Sequence, residues 1–308
     1  MKILITGSNG LLGQKLVYKL KDRAHVTLVS TARGTNRLVN TTGYEYAELD
    51  ITNLINVEEV FKQYKPDVVI NTAAMTNVDA CETEKELCWM MNVTAVQYQV
   101  SVLEHMQQRD NSYKPQFIHL STDFIFDGTH GPLDENEQPN PLSYYADSKL
   151  AAEKIVQSST LHWAIARTVL VYGIVDNMSR SNIVLWVKQN LEQGKPINVV
   201  DDQFRTPTLA EDLADGCILM AEKKAQGIYN ISGKDFLSIL DLAHLVADYY
   251  RLDKSLIKPS KSADIKQPAK RPPITGFIIE KAKKELGYNP HSFVEGIMFL
   301  EEQLKKMG

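Results

Sequence analysis

An α/β fold, in which a doubly wound parallel sheet carries a smaller C-terminal region, is what this sequence predicts. Three features lead to it. Short apolar runs alternate with helix-period segments through the first 173 residues, the regularity weakens after Gly173, and a glycine-spaced stretch, ITGSNGLLG, follows the first apolar run directly. Near-continuous apolar runs of this length read as strands covered on both faces, which is the arrangement of a parallel sheet with crossover helices.

The strand candidates of the first half are KILITG (2–7), HVTLVS (25–30), YEYAELD (44–50), DVVINTA (67–73), PQFIHLSTD (115–123) and HWAIARTVLVYG (162–173). Helical spacing occupies 11–21, 56–64, 85–107 and 144–158 between them. In the second half NIVLWVKQNLEQG reads as a helix stopped by Gly194 and Pro196. PINVV is a strand, and the next helix has Thr208 as its expected N-cap, with Glu211 completing a capping box. GIYNISG is a further strand and SILDLAHLVADYY an amphipathic helix. Residues 251–276, rich in lysine and proline, read as a long loop, and two helical segments with a turn between them finish the chain. The expected division is a nucleotide-binding core at 1–173 and a mainly substrate-binding region at 174–308, whose elements can return to the core.

The chain has 308 residues, 44% hydrophobic and 23% charged, with a formal net charge of -4. That length supports a substantial core, and the mild acidity gives no support to a nucleic-acid or polybasic membrane partner. Cys81, Cys88 and Cys217 form no CxxC pair, which argues against a thiolate zinc site or a disulfide scaffold and suits a reducing compartment. The opening apolar run is too short for a signal peptide, and no stretch has the length of a membrane span, so a cytoplasmic, soluble protein is expected.

Gly7, Gly10 and Gly13 stand in a GxxGxxG pattern straight after the first strand. Glycine permits the tight turn and a close backbone approach, and the following helix N-terminus can hold a pyrophosphate on its free amides. In that position the pattern indicates a Rossmann-type dinucleotide site. The second strand ends in LVSTARG, without the acidic residue that grips ribose hydroxyls; Arg33 instead suits a ribose phosphate and favours NADPH, with NADH left open. Asp50 can accept from an adenine amine or serve a helix N-terminus. Ala73 and Ala74 are small where backbone must pass close to a cofactor.

Reduction of a carbonyl needs a proton donor at its oxygen. In PLSYYADSK, Lys149 lies four residues after Tyr145, so the two share a helix face, while Tyr144 is aligned with Ser148. A lysine ammonium stabilises phenolate and lowers a phenol from its ordinary value of about 10. Ser121, Thr122 and Asp123 stand at the end of a strand expected at the sheet centre, where a hydroxyl can bind the same substrate oxygen.

With these motifs in order, the chain resembles the extended short-chain dehydrogenase/reductases, and within them the dTDP-4-dehydrorhamnose reductase-like branch. KPDVVINTAAMTNVDACETEKELCWMMNV, STDFIFDG, NPLSYYADSKLAAE, DDQFRTPTLAEDLA and AKRPPITGF carry the resemblance across nearly the whole chain. It implies Tyr145 as proton donor, Thr122 as its hydroxyl partner, Lys149 as support and nicotinamide-ribose binder, and Asp123 as an orienting acid. It implies an NADPH site of Gly7, Asn9, Gly10, Leu11, Gly13, Arg33, Asp50, Ala73, Ala74 and Thr76, with Asn92 supporting the lysine through water. Met75, Asp79, Asp127, Arg205 and Thr206 are the substrate-side expectations.

The implied activity is reduction of the 4-keto group of a nucleotide-linked 6-deoxy sugar, with dTDP-4-dehydro-L-rhamnose as substrate and dTDP-L-rhamnose for cell-surface polysaccharide as product. Similar reductases are commonly dimeric, and some use magnesium at the interface. The sequence itself shows no metal cluster, and DENE at 134–137 reads as a solvated loop. The chain departs from the branch at Leu11, Leu12 and Ala146, and in the lysine-rich 251–270 segment. Two other readings stay open: an epimerase or dehydratase that retains NAD, and a noncatalytic NADP-binding regulatory subunit.

Overall fold

The computed structural model describes residues 1–177 and 182–307. Its central sheet has seven strands: β1 (Lys2–Thr6), β2 (Thr27–Ala32), β3 (Glu45–Glu48), β4 (Val68–Asn71), β5 (Gln116–Thr122), β6 (His162–Thr168) and β7 (Gly227–Asn230). They lie in the order β7-β6-β5-β4-β1-β2-β3, parallel at every pairing. The strand order reverses between β1 and β4, so a crevice opens there at the carboxyl ends of the strands. The doubly wound α/β architecture expected from the sequence is the one observed.

Helices cover both faces: α1 (Leu11–Leu20), α2 (Leu54–Tyr64), α3 (Val78–Thr83), α4 (Lys85–Trp89), α5 (Ala95–Arg109) and α6 (Tyr144–Gln157) in the first half. Side-chain alternation along each strand feeds two cores. Ile3, Ile5, Val68 and Ile70 face one, with α1, while Leu4, Val69 and Phe117 face the other, with α2 and α5. Burying each such side chain contributes roughly 1.5–3 kcal/mol, which is why strands apolar on both sides are stable only in the sheet interior.

After β6 the backbone turns left-handed at Leu170 (φ 38°) and leaves the main sheet. Helices α7 (Ile183–Glu192), α8 (Ala210–Glu222), α9 (Ile239–Tyr250) and α10 (Phe293–Met307) follow. Val187, Leu191, Leu242, Val246, Phe293 and Ile297 from α7, α9 and α10 form a separate C-terminal core. Helix α8 instead packs into the core beneath α1, with Lys15 paired to Glu211 at 2.7 Å. Strand β7 also returns to the main sheet, beside β6.

Four local expectations are corrected. Thr208 does not cap α8: its hydroxyl donates to the Val169 carbonyl at 2.7 Å, and Glu211 is held by Lys15, so the helix begins after Leu209 without a side-chain cap. The capping box belongs to α9, between Ser238 and Asp241. The helix expected over 85–107 is interrupted by a π-turn at Met90–Thr94, and a second π-turn occupies Ala282–Leu286. Finally, the 251–276 loop contains a strand, Ile257–Ser260, paired in parallel with Ile197–Val200. Among the described residues no helix is long and apolar enough to cross a membrane.

Candidate active site

The glycine turn joins β1 to α1. Gly7 takes φ 71°, and a Cβ there would lie 2.8 Å from the Ala73 backbone, so the turn and the β4 end are packed as closely as glycine allows. At Gly13 a Cβ would stand 2.4 Å from the Gly7 carbonyl oxygen. Gly10 is different: it is exposed, and no side chain caps the helix that it opens. The amides of an uncapped helix N-terminus, reached over a residue without a side chain, fit a pyrophosphate. Leu11 and Ala74 are partly exposed in the same region, and Thr76 is exposed on the loop beyond β4.

Asn9 ties the turn to the loop after β2, donating to the Thr35 carbonyl at 2.9 Å and accepting from the Arg37 amide at 2.9 Å. Arg33 is exposed on that loop. Asp50 is not the cap of α2, a role that Asn53 fills. Burial works to raise the Asp50 carboxyl, but the hydroxyl and amide of Thr52 and the charge of Arg33 outweigh it and hold it below the usual range. Arg33 and Asp50 therefore lie close enough for one charge to act on the other.

At the end of β5, Thr122 and Asp123 are buried. The Thr122 hydroxyl donates to Asp123 Oδ1 at 3.1 Å, and the Thr275 hydroxyl donates to Oδ2. Arg205 Nε lies 3.6 Å from the same carboxylate. Burial pushes the Asp123 carboxyl up, while Arg205, Thr275 and Thr122 pull it back.

Ser143 caps α6, accepting from the Ala146 amide at 3.3 Å, and so fixes the start of the helix that carries Tyr145 and Lys149. Both side chains are buried. The Tyr145 ring packs edge-on against Phe124 at 6.1 Å, and Thr122 interacts with its hydroxyl. The expectation that Lys149 lowers this phenol is not what the structure shows: burial raises it far above its ordinary value, against the lowering effect of Thr122. Lys149 donates to the Leu120 carbonyl at 2.6 Å, and burial pushes its ammonium down to about 8. Tyr144 lies at the surface, with its ring 6.0 Å from Trp89 and Lys85 above it.

Asn92 sits in the π-turn, and its amide is used locally. It accepts from the Met75 amide at 2.8 Å and donates to the Met75 carbonyl and the Ser148 hydroxyl, each at 3.0 Å. It thus braces the β4 loop against α6 one residue from Lys149, and no direct bond joins it to the lysine. π-turns gather at functional sites because the extra residue redirects side chains. The sequence pattern carried no sign of it.

The substrate-side expectations divide. Met75 is partly exposed beside Asn92, and Asp127 holds the 127–140 loop through Thr129 and Asn140. Asp79 is engaged by Arg271 at 2.7 Å and the Ala269 amide at 3.1 Å, so it anchors the Arg-Pro segment. Arg205 is buried and donates to the Pro272 and Pro273 carbonyls at 2.7 and 2.9 Å. Thr206 is buried, bonded to Ser232 and the Phe277 amide, and is not brought to a surface that a ligand reaches. Sequence reasoning missed Thr275, Arg271 and a buried His119 beside Lys149. The only local sign of the last was one histidine within the apolar run FIHL.

Among the described residues no group of three histidines, cysteines or acids is placed to hold a metal. The carboxylates of the DENE loop go to separate partners: Asp134 to the Asn136 amide, Glu135 to the Asn230 amide and Glu137 to His130.

The chain is similar to known proteins along nearly its whole length. The family model described as RmlD substrate binding domain matches residues 1–305. A probable low-salt glycan biosynthesis reductase of Haloferax volcanii is 29% identical over 303 residues, covering 98% of this chain and 97% of that protein. Methionine adenosyltransferase 2 subunit beta of Xenopus tropicalis is 29% identical over 264 residues, covering 84% and 75%. The crystal structure of a dTDP-4-dehydrorhamnose reductase from Clostridium acetobutylicum superposes with a TM-score of 0.84 at 28% identity, covering 99% of this chain and 100% of that one. The chain belongs to the RmlD substrate binding domain family, the dTDP-4-dehydrorhamnose reductase-like branch of the extended short-chain dehydrogenase/reductases, and is an NAD(P)H-dependent oxidoreductase of that group.

Proposed function

We propose that this protein reduces the 4-keto group of a nucleotide-linked 6-deoxy sugar, with dTDP-4-dehydro-L-rhamnose as substrate and NADPH as donor. The observation that supports the reading is that one helix, α6, sets Tyr145 where Thr122 at the end of β5 acts on its hydroxyl and bonds Lys149 to the Leu120 carbonyl of the same strand. The chemistry that a reduced nicotinamide contributes when bound is a hydride for C4 of the sugar. Tyr145 holds a proton at its hydroxyl and delivers it to the ketone oxygen, and Thr122 binds that oxygen and orients it. Asp123 accepts the one Thr122 hydroxyl proton, which turns from the carboxylate to the ketone oxygen when the sugar binds. Lys149 brings a positive charge that favours the phenolate left after proton transfer. Arg33 pairs with the ribose phosphate that distinguishes NADPH from NADH.

The experiment is nicotinamide absorbance with NADPH and dTDP-4-dehydro-L-rhamnose generated in situ. Absorbance that falls only when protein and keto sugar are both present supports the reading; no fall across a panel of nucleotide-linked keto sugars refutes it. Arg33→Ala is expected to raise KM for NADPH about tenfold, the loss of one charge-assisted hydrogen bond, and to leave KM for NADH unchanged. Equal change for both cofactors would remove Arg33 from the phosphate site.

The pH dependence follows from the two buried groups. Tyr145 stays protonated because burial raises it, and Lys149 loses its proton near about 8. Activity that needs the ammonium is present below that value and declines as pH rises through it. A plateau of kcat extending to pH of about 10, the ordinary range of lysine, would contradict this assignment.

Similarity to the methionine adenosyltransferase subunit supports a second reading, a cofactor-binding regulatory subunit. Stable association with another enzyme, together with NADPH binding and no turnover, would favour it.

A further inference from the structure

Behind Lys149 lies a row of buried polar side chains that the reaction scheme does not use. The Thr6 hydroxyl donates to Asn71 Oδ1 at 2.6 Å, Asn71 Nδ2 lies 3.1 Å from His119 Nδ1, and His119 Nε2 lies 3.5 Å from Lys149 Nζ. Thr6, Asn71 and His119 occupy the neighbouring strands β1, β4 and β5, and all are 0–1% exposed. Parallel pairing sets Thr6 opposite Asn71 and Asn71 opposite His119, so the row is built into the register of the sheet.

We propose that His119 is a positioning residue for Lys149, a neutral imidazole that keeps the lysine hydrogen-bonded in both of its charge states by exchanging tautomers. The row can run in either direction. With Lys149 charged, Nζ donates to Nε2, and the ring proton on Nδ1 is received by the Asn71 carbonyl once the amide turns over and its nitrogen faces the Thr6 hydroxyl. With Lys149 neutral, Nε2–H donates to Nζ, and Nδ1 accepts from the Asn71 amide nitrogen, the orientation in which Asn71 Oδ1 receives the Thr6 hydroxyl. Between the two states the bonding proton passes from Nζ to Nε2 while Nδ1 releases one to solvent. The unit loses one proton, and the ring is neutral at both ends.

The surroundings keep the ring uncharged. Burial first, and then the charge of Lys149, hold His119 well below its usual value. The groups acting on Lys149 are Glu153 on α6, whose carboxylate is bound by Arg167 from β6, and Cys88 from α4, in addition to His119 and the Leu120 carbonyl from β5. Apart from His119, none of these donates to Nζ: the Cys88 thiol turns to the Ser148 hydroxyl, and Leu120 offers a carbonyl. Without a reversible partner, a deprotonated Lys149 would keep one fewer hydrogen bond in a site with no room for misplacement.

The inference rests on the reductase reading for its consequence, not for its test. Long-range 1H–15N spectra of the 15N-labelled protein, recorded without cofactor or sugar, report the tautomer of each of the seven histidines; His119 is the signal lost in His119→Gln. A neutral ring from about pH 6 to 10, with its proton on Nδ1 below about 8 and on Nε2 above, is the expected result. An imidazolium at pH 6, or one unchanging tautomer, overturns the inference whether or not the protein proves to be a reductase. In turnover, His119→Phe should lower the alkaline limb of kcat by about one pH unit and leave KM for the keto sugar unchanged, because the ammonium loses an acceptor. His119→Gln, whose amide reaches the Nε2 position, should restore most of that shift. Equal limbs in both variants and the parent would make the ring a packing group only.

Discussion

Tyr145→Phe is expected to lower kcat about a thousandfold while leaving NADPH affinity and the fold nearly intact. Proton delivery by a placed side chain contributes roughly 10²–10⁴ in rate, and the Tyr145 hydroxyl is the group on α6 that interacts with Thr122 at the end of β5. The ring itself stays, packed on Phe124 and the buried Cys81 and Cys88, so the loss is chemical and not one of packing. NADPH titration by fluorescence, run beside steady-state kinetics, separates the two. A loss in kcat of less than about tenfold would mean that the ketone takes its proton from elsewhere. Asp123 would be the next candidate, because burial holds its carboxyl toward the protonated form.

Arg167→Met is expected to be the most costly single change to stability, about 3–5 kcal/mol. Arg167 and Glu153 are 3% and 0% exposed, joined by two hydrogen bonds of 3.0 and 2.8 Å. Removing the guanidinium leaves a carboxylate buried between α6 and β6 without its partner, and the desolvation of that charge is then uncompensated. Urea unfolding measures the change. The double variant Glu153→Leu with Arg167→Met should recover most of it, since an apolar pair of similar volume carries no desolvation cost. A single-variant loss below about 1 kcal/mol would place the pair among weakly contributing surface bridges. The pair also bears on the site, because Glu153 lies one turn from Lys149 and helps to keep its ammonium charged. Glu153→Gln should therefore shift the alkaline limb of activity downward.

Much of this was legible in the sequence, for reasons of local geometry. The unbroken apolar runs KILIT and DVVIN indicated strands covered on both faces, and both faces are packed. Tyr145 and Lys149 were legible because helix spacing aligns residues four apart. What could not be read depends on partners distant in the chain. The Thr208 hydroxyl suited a cap, but the Val169 carbonyl, 39 residues away, competes for it. The strand Ile257–Ser260 carries lysine and proline and exists only through its pairing with Ile197–Val200. The π-turn around Asn92 escaped because one extra residue leaves the apolar spacing of a helix nearly unchanged. The expected depression of the Tyr145 phenol weighed a neighbouring charge and neglected burial, which here is the larger effect. His119 needed the register of three strands before it meant anything.

The most direct measurement is product analysis after turnover of dTDP-4-dehydro-L-rhamnose with NADPH deuterated at the transferring C4 position. One deuterium at C4 of the product sugar, formed about a thousandfold more slowly with Tyr145→Phe, is the predicted result. A product without deuterium at C4, or NADPH that persists unchanged beside the keto sugar, would contradict the proposed reaction.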